Sequence, residues 1–257
     1  MQAKSDFIKA YNRLARNLRK QHDQNQAMSL GVGGNFDAVG ILERELLIQH
    51  GLKPNDYLID VGCGSGRLSK PLAQYLSGKY LGIDVVADFI RHARKITDRP
   101  DWRFEVTKGI NIPEKDGQAD MVCFFSVFTH LLHEQSYWYL HEAKRVLKQN
   151  GKIFFSFLEF KIPDQWAVFE STFQKAYEAH PLIIFMSRDA IEAWADHLEL
   201  EIVAIIDGNI PHIPIPHPLT FENGSVVEKT AKLGPIGQSV CILAKKIAHR
   251  IYPPATL

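Results

Sequence analysis

Short apolar segments alternate along the chain with segments of helical periodicity, and this alternation constrains the fold more than any other feature. The clearest apolar segments read DYLIDVG, KYLGIDVV, ADMVCFFSV and GKIFFSFLEF. Near-continuous apolar strands that alternate with helices are typical of a parallel sheet covered on both faces. The order of these segments therefore predicts an α/β fold.

A glycine-rich stretch, DVGCGSGRLS at residues 60–69, lies between a predicted strand and a predicted helix. Here Gly62, Gly64 and Gly66 let the chain turn sharply and bring its backbone against a ligand, and the following helix directs free N–H groups at the same space. The spacing is G-x-G-x-G, not the G-x-G-x-x-G of dinucleotide-binding loops. The stretch therefore predicts a ligand site that does not require a pyrophosphate.

Two acidic residues accompany this loop. Asp60 lies in an apolar strand, where an unpaired charge is costly, and a cationic or amine-bearing ligand would supply its partner. Asp84 ends the next strand about 20 residues further on, a separation at which a carboxylate meets ribose hydroxyls. The ligand is therefore expected to carry a ribose and a positively charged group.

The chain resembles class I S-adenosylmethionine-dependent methyltransferases in four successive motifs, LIDVGCGSGRLS, LGIDVV, ADMVCFFSVFTHL and RVLKQNGKIFF. The resemblance covers about residues 36–160 well and the last two strands loosely. It implies a Rossmann-like, mostly parallel seven-stranded sheet in the order 3-2-1-4-5-7-6, flanked by helices and with the last strand antiparallel. It also implies an enzyme that transfers a methyl group from S-adenosylmethionine to a nucleophile.

The resemblance further implies which residues bind the cofactor. Asp60 and the glycine loop would hold its methionine part, Asp84 its ribose, and Val85 would contact the adenine. The turn at 108–111 lacks the acid that the family usually directs at the adenine amino group, so its amide or its backbone would take that role. Ser126, after the fourth strand, would face the cofactor or the acceptor. The implied cofactor-binding residues are Asp60, Gly62, Cys63, Gly64, Gly66, Asp84, Val85, Gly109, Ile110, Asn111 and Ser126.

Histidines supply the candidates for acid–base chemistry. A general base is needed only if the acceptor is a hydroxyl or a protonated amine. His130 is the candidate catalytic residue, with the capping of a helical turn as the alternative role, and His133 is a weaker candidate. His212 and His217 have no neighbouring cysteine or acid, so we expect no metal site and assign His212 to substrate contact.

The N-terminal part, residues 1–35, combines a basic helix with the glycine-rich SLGVGG, which no predicted strand precedes. We interpret it as a possible lid over the pocket, with Phe36 and Asp37 beside the substrate, and a simple connector is the open alternative. Residues 36–257 are the predicted methyltransferase domain. It includes a substrate loop at about 208–238, whose prolines exclude a central strand or a helix.

Two local features complete the predicted secondary structure. Residues 21–35 are polar and glycine-rich without periodicity, which predicts a loop. The helix before the fifth strand is expected to end at Asn150-Gly151, because Asn-Gly is a strong turn signal. In the substrate loop, Asn223-Gly224 favours a hairpin turn.

The composition limits the partners and the location. A formal net charge of +1 over 257 residues gives no argument for nucleic acid, so we expect a small-molecule or glycan acceptor. The basic first helix keeps RNA or an anionic substrate as a minor alternative. MQAKSDF lacks the apolar core of a secretory signal, no apolar run is long enough for a membrane span, and three cysteines make no disulfide framework. These features predict a cytoplasmic protein without a membrane partner.

Two other functions remain open from the residues. One is an NAD-dependent oxidoreductase or epimerase, against which the loop spacing and Asp60 both argue. The other is a non-catalytic cofactor-binding subunit, against which the intact glycine loop and both acids argue. Cofactor binding and methyl transfer distinguish these alternatives.

Overall fold

A computed structural model describes residues 3–173 and 182–246, with side chains described from residue 8 onward. Its strands are β1 (Leu58–Val61), β2 (Tyr80–Asp84), β3 (Arg103–Val106), β4 (Ala119–Phe124), β5 (Leu147–Phe157), β6 (Leu200–Ile206), β7 (Ile213–Pro214), β8 (Leu219–Thr220), β9 (Val226–Val227), β10 (Thr230–Ala231) and β11 (Ser239–Lys245). Its helices are α1 (Ala3–Gln21), α2 (Gln24–Leu30), α3 (Phe36–Gln49), α4 (Ser69–Leu72), α5 (Ala87–Thr97), α6 (His133–Val146), α7 (Pro163–Phe173) and α8 (Arg188–His197).

Seven of the described strands form one sheet in the order β3-β2-β1-β4-β5-β11-β6. β1 pairs in parallel with β2 and β4, β2 with β3, and β4 with β5. β11 lies antiparallel between β5 and β6. Because β11 is the seventh long strand in chain order, this arrangement confirms the predicted sheet.

Two apolar clusters cover the two faces of the sheet. Leu46 of α3 and Ile90 of α5 belong to one cluster, together with Leu58 of β1. Leu140 of α6 and Ile191 of α8 belong to the other cluster. Burial on both faces explains why the central strands are apolar throughout. Within 3–173 and 182–246, no helix is long and apolar enough to cross a membrane.

Two of the secondary-structure predictions were wrong. The predicted loop at 21–35 contains α2, where the Asp23 side chain accepts a hydrogen bond from the Gln26 N–H at 3.0 Å. Burial of Ala27 and Met28 stabilises this helix although its sequence has no clear periodicity. The helix expected to reach residue 150 ends at residue 146, because the next residues enter β5 and begin its pairing with β4.

The segment at 208–238 contains only two-residue strands and no helix, which agrees with the expectation from its prolines. β8 pairs with β9 around Asn223-Gly224, where Gly224 has φ +82°, and this confirms the predicted turn. β10 pairs with β7. After these pairings the chain returns through residues 233–238 to the edge of the sheet where the carboxyl ends of the parallel strands lie.

Candidate functional site

A cavity of about 660 Å³ lies beyond the carboxyl ends of β1, β2 and β4. This volume is within the range of small-molecule sites. We call its sheet side the cavity floor, which includes Asp60, Gly62, Cys63, Gly64, Asp84, Val85, Ser126 and His130. We call residues 8–35 and 208–238 together the cavity roof, and its residues that line the cavity include Tyr11, Leu14, Leu30, Gly31, Val32, Gly33, Gly34, Leu233, Gly234, Pro235 and Ile236.

The loop after β1 requires glycine for two reasons. Gly62 and Gly64 have φ values of +75° and +55°, which L side chains rarely adopt. A Cβ on Gly62 would also lie 2.4 Å from Cγ2 of Val127, and one on Gly64 would lie 2.4 Å from Cγ1 of Val32. Glycine at these two positions therefore permits the loop to approach Val127 and Val32 closely.

Gly66 has a different role from its two neighbours. It is not among the described residues that line the cavity. A Cβ at this position would lie 2.8 Å from Cα of Ala93 in α5. This glycine therefore permits close packing between the loop and α5.

Asp84 connects the loop to the end of β2. Its carboxylate accepts hydrogen bonds from the N–H of Gly64 at 3.0 Å and the N–H of Val86 at 2.8 Å. Burial raises the pKa of Asp84 to about 6, and these two backbone donors oppose that shift. At neutral pH this position therefore offers a mostly ionised hydrogen-bond acceptor on the cavity floor.

Asp60 has a protein partner that the sequence did not indicate. The Tyr80 hydroxyl donates a hydrogen bond to its carboxyl at 2.7 Å, and the Cys123 thiol lies at 3.7 Å. Burial nevertheless raises the pKa of Asp60 to about 7. The carboxyl also lines the cavity, so a cationic ligand group there would favour its ionised form.

The turn after β3 lies apart from the cavity. Gly109, Ile110 and Asn111 are not among the described residues that line it, whereas Thr107 and Val85 are. The Thr107 hydroxyl donates to the Gly109 carbonyl at 2.9 Å, and Ile110 is buried in the core. The structure thus brings Val85 to the cavity wall, but it does not bring residues 109–111 there.

Ser126 sits in a strained backbone conformation directly after β4, with φ +57°. Its N–H donates to the hydroxyl of Ser156 at 2.7 Å, and this hydroxyl donates to Oε1 of Gln238 at 2.7 Å. Nε2 of Gln238 in turn donates to the Ser126 hydroxyl at 2.8 Å. Sequence reasoning missed Gln238, since no local pattern connects it with a strand that is 112 residues away.

His130 lies at the boundary between floor and roof. Its Nδ1 lies 2.7 Å from the carbonyl oxygen of Leu182, which can only accept, so Nδ1 carries the proton and Nε2 keeps a lone pair. Burial lowers the pKa of His130, which favours this neutral form. The ring meets Tyr11 edge-to-face at 5.4 Å. His133 instead is exposed at the start of α6.

The roof joins two segments that are far apart in sequence. The Glu222 carboxylate accepts hydrogen bonds from the Asn35 N–H at 2.6 Å and the Ser29 hydroxyl at 3.1 Å. Phe36 and Asp37 lie outside the cavity, in a neighbouring depression, where Asp37 pairs with Lys70 at 2.7 Å. The expectation that they flank the main pocket is therefore corrected, because α3 begins on the outer side of the roof.

His212 also lies away from the cavity. Its backbone carbonyl accepts a hydrogen bond from the Gln49 side chain at 3.1 Å, beside the C-terminal end of α3. Burial lowers the pKa of His212, and its ring nitrogens lack a partner within the described part of the chain. The described residues contain no cluster of three potential metal ligands. The structure therefore does not place the His212 side chain at the cavity, where the expected substrate contact would require it.

Residues 58–151 match a family model described as a methyltransferase domain. These residues contain the glycine loop, both floor carboxylates, Ser126 and His130. This segment of the chain is therefore similar to a methyltransferase domain. S-Adenosylmethionine is the cofactor of the class I methyltransferases, which the four motifs resemble.

Solved structures of methyltransferases share the fold of this chain. Magnesium protoporphyrin IX methyltransferase of Synechocystis PCC 6803, solved with bound S-adenosylhomocysteine, has a TM-score of 0.61 at 13% identity and covers 95% of this chain and 99% of its own. An S-adenosylmethionine-dependent methyltransferase of Aquifex aeolicus has a TM-score of 0.54 at 15% identity and covers 89% of this chain and 97% of its own. At these identities the likeness extends to the fold alone.

Curated relatives match a part of this chain. An uncharacterized protein of Methanocaldococcus jannaschii is 30% identical over 117 residues, which are 45% of this chain and 42% of that protein. A Pseudomonas putida protein named "Probable fatty acid methyltransferase" is 27% identical over 108 residues, which are 40% of this chain and 27% of that protein. The chain thus spans less than half the length of each of these two relatives.

Proposed function

We propose that this protein transfers a methyl group from S-adenosylmethionine to a hydroxyl or amine of a small molecule or glycan. The observation that carries the proposal is one cavity that holds the glycine loop, Asp84 and His130, whose Nε2 has no hydrogen-bond partner among the described residues. The loop and the carboxylate suit a cofactor, and the imidazole suits a proton acceptor beside it.

The carboxylates of the floor and the volume of the cavity are compatible with S-adenosylmethionine. Asp84 would accept hydrogen bonds from the ribose hydroxyls, and Asp60 would face the amino group of the methionine part. Gly62 and Gly64 would bring the loop backbone to the methionine part, and both line the cavity. Val85 would contact the adenine. A role for 109–111 stays a prediction that requires those residues to approach the ligand.

The cofactor supplies a methyl group bonded to a positively charged sulfur. The chain's own residues would align the acceptor with that bond and exclude water from it, which supplies much of the rate enhancement for such a reaction. His130 would accept the acceptor's proton at Nε2. The Leu182 carbonyl would stabilise the resulting imidazolium through the Nδ1–H.

The roof supports a small acceptor over a polymer. It adds apolar side chains to the cavity, among them Leu14, Leu233 and Ile236. We include a cytoplasmic location in the proposal, supported by three cysteines that are free and buried.

Methyl transfer to a panel of hydroxyl- and amine-bearing metabolites tests the proposal, with S-adenosylhomocysteine release as the readout. We expect turnover with members of the panel by the native protein and a loss of turnover in His130→Gln. Cofactor binding without turnover on any member would instead favour a non-catalytic subunit, and NAD binding without S-adenosylmethionine binding would favour an oxidoreductase.

A further inference from the structure

We infer that Gln238 and Ser126 select an acceptor that carries an uncharged carbonyl-type oxygen on an apolar body. The inference rests on the proposed function, because it concerns the acceptor side of the same cavity. It adds a residue from the 208–238 segment to the site.

The first step is the hydrogen-bond count of the polar ring formed by Ser126, Ser156 and Gln238. The Ser156 hydroxyl accepts from the Ser126 N–H, so its own proton goes to Oε1 of Gln238. This fixes the orientation of the amide, and Nε2 therefore donates to the Ser126 hydroxyl. Each of the three side-chain oxygens therefore accepts one internal hydrogen bond.

Two donors of this ring remain. Nε2 of Gln238 has a second N–H, and the Ser126 hydroxyl has its own proton. Within the described part of the chain neither proton has a partner, and both residues line the cavity. An oxygen with two lone pairs, such as a carbonyl oxygen, is the group that two converging donors recognise.

The backbone supports a role in recognition rather than in folding alone. Ser126 keeps φ +57° although a serine there is strained. Its carbonyl is held by the Thr129 hydroxyl at 3.1 Å, and its N–H is held by Ser156. The fold therefore holds this hydroxyl in one place at the end of β4.

Charge decides against an anionic acceptor. The described charged groups of the cavity wall include the carboxyls of Glu43, Asp60 and Asp84 and the guanidinium of Arg67. Arg67 already donates to Glu43 at 2.5 Å and to the Val32 carbonyl at 2.5 Å. An anion would thus meet carboxyls without a cation released from other bonds, whereas a neutral oxygen needs donors only.

Three probes of one shape test this inference on the full chain saturated with S-adenosylhomocysteine. Acetophenone carries the neutral oxygen, ethylbenzene lacks it, and benzoate carries a charge. Ligand-observed NMR titrations measure each dissociation constant. We expect acetophenone to bind about tenfold more tightly than ethylbenzene, since two neutral hydrogen bonds add this much. Benzoate should bind more weakly than acetophenone.

Gln238→Leu and Ser126→Ala should each reduce the acetophenone preference at least about threefold by removing one donor, each measured on protein saturated with S-adenosylhomocysteine. Gln149→Leu is the matched control, because Gln149 is exposed at the opposite end of β5, and it should keep the full preference. Equal binding of acetophenone and ethylbenzene by the native protein, or no saturable acetophenone binding, overturns the inference. Failure of S-adenosylhomocysteine to bind would instead overturn the proposed function.

Discussion

On the cavity floor, Asp84 accepts hydrogen bonds from the backbone of Gly64 and Val86, whereas on the roof the exposed Glu222 joins Asn35 and Ser29 from across the chain. Floor residues follow consecutive strands of one sheet, so their positions are set by the core. Roof residues come from the N-terminal segment and from 208–238. We therefore expect floor variants to change cofactor affinity and roof variants to change turnover of the acceptor.

His130→Gln should have the largest effect, because this residue stands where floor and roof meet. Loss of a general base lowers kcat/KM by roughly 10²- to 10⁴-fold. S-Adenosylhomocysteine affinity should stay within about twofold, since the proposed role of His130 concerns the proton of the acceptor and not the cofactor. Steady-state kinetics with a panel acceptor and calorimetry measure the two quantities.

The pH profile adds a control to this experiment. Burial lowers the pKa of His130, so the base stays neutral and active until the pH falls below the ordinary histidine value of about 6.5. Native kcat/KM should therefore decline only at lower pH, and the variant should lack this acidic limb. An unchanged limb in the variant would show that another group takes the proton.

Gly64→Ala should damage the floor more than Gly33→Ala damages the roof. Both glycines have positive φ, but a Cβ on Gly64 would lie 2.4 Å from Val32, whereas one on Gly33 meets nothing within 4 Å. We expect Gly64→Ala to lower the free energy of unfolding by roughly 2–4 kcal/mol and to weaken cofactor binding. Gly33→Ala should lower it by about 1 kcal/mol.

A second substitution separates the clash from the backbone strain. Val32→Ala removes Cγ1, which a Cβ on Gly64 would meet at 2.4 Å. The double variant should therefore recover part of the stability and of the cofactor affinity in denaturation and calorimetry. Equal losses in Gly64→Ala and Gly33→Ala would contradict the close approach of floor and roof.

Asp60→Asn should weaken the cofactor yet stabilise the free protein. Replacing a charge-assisted partner lowers S-adenosylmethionine affinity roughly tenfold or more at pH 8. The folded pKa is raised to about 7, above the unfolded value, so the carboxyl's contribution to stability is lost as the pH rises through 7. Asn avoids this loss.

Denaturant unfolding without ligand measures the stability part of this experiment. The variant should exceed the native protein at pH 8 and lose that advantage near pH 5, where native Asp60 is protonated. A native affinity for S-adenosylmethionine that does not rise between pH 6 and pH 8 would argue against this carboxyl as the partner of the amino group.

Glu222→Ala should have the smallest effect, and it acts on the roof. It removes the acceptor shared by Asn35 and Ser29, so the N-terminal segment should close less firmly. Because the carboxylate is exposed, we expect an increase in acceptor KM of no more than about threefold and an unchanged cofactor affinity. A larger change in cofactor affinity than in KM would erase the distinction between floor and roof.

The contrast between floor and roof also explains which site residues could be predicted from the sequence. Asp60, Gly62, Gly64 and Asp84 were predicted because strand, loop and spacing are all local signals. Gln238 could not be found, since its partner Ser126, which follows β4, is 112 residues away in sequence. The prediction of a loop at 21–35 was also wrong for a non-local reason, because burial of Ala27 and Met28 stabilises α2.

The placement of the remaining candidates depended on how elements meet in space. Phe36 and Asp37 follow a glycine-rich segment that does line the cavity, yet the start of α3 turns them outward. His212 resembles a substrate-loop residue in sequence, but the pairing of β7 with β10 places it beside α3. The positions of these three residues relative to the cavity therefore cannot be predicted from their sequence neighbours.

The most direct test of the central claim is calorimetric titration of the full chain with S-adenosylhomocysteine, followed by NAD as a competitor. We expect one S-adenosylhomocysteine per chain, weaker binding in Gly64→Ala and Asp60→Asn, and no displacement by NAD. Saturable binding of NAD together with no measurable binding of S-adenosylhomocysteine would contradict the assignment of the cavity floor to a methyl donor.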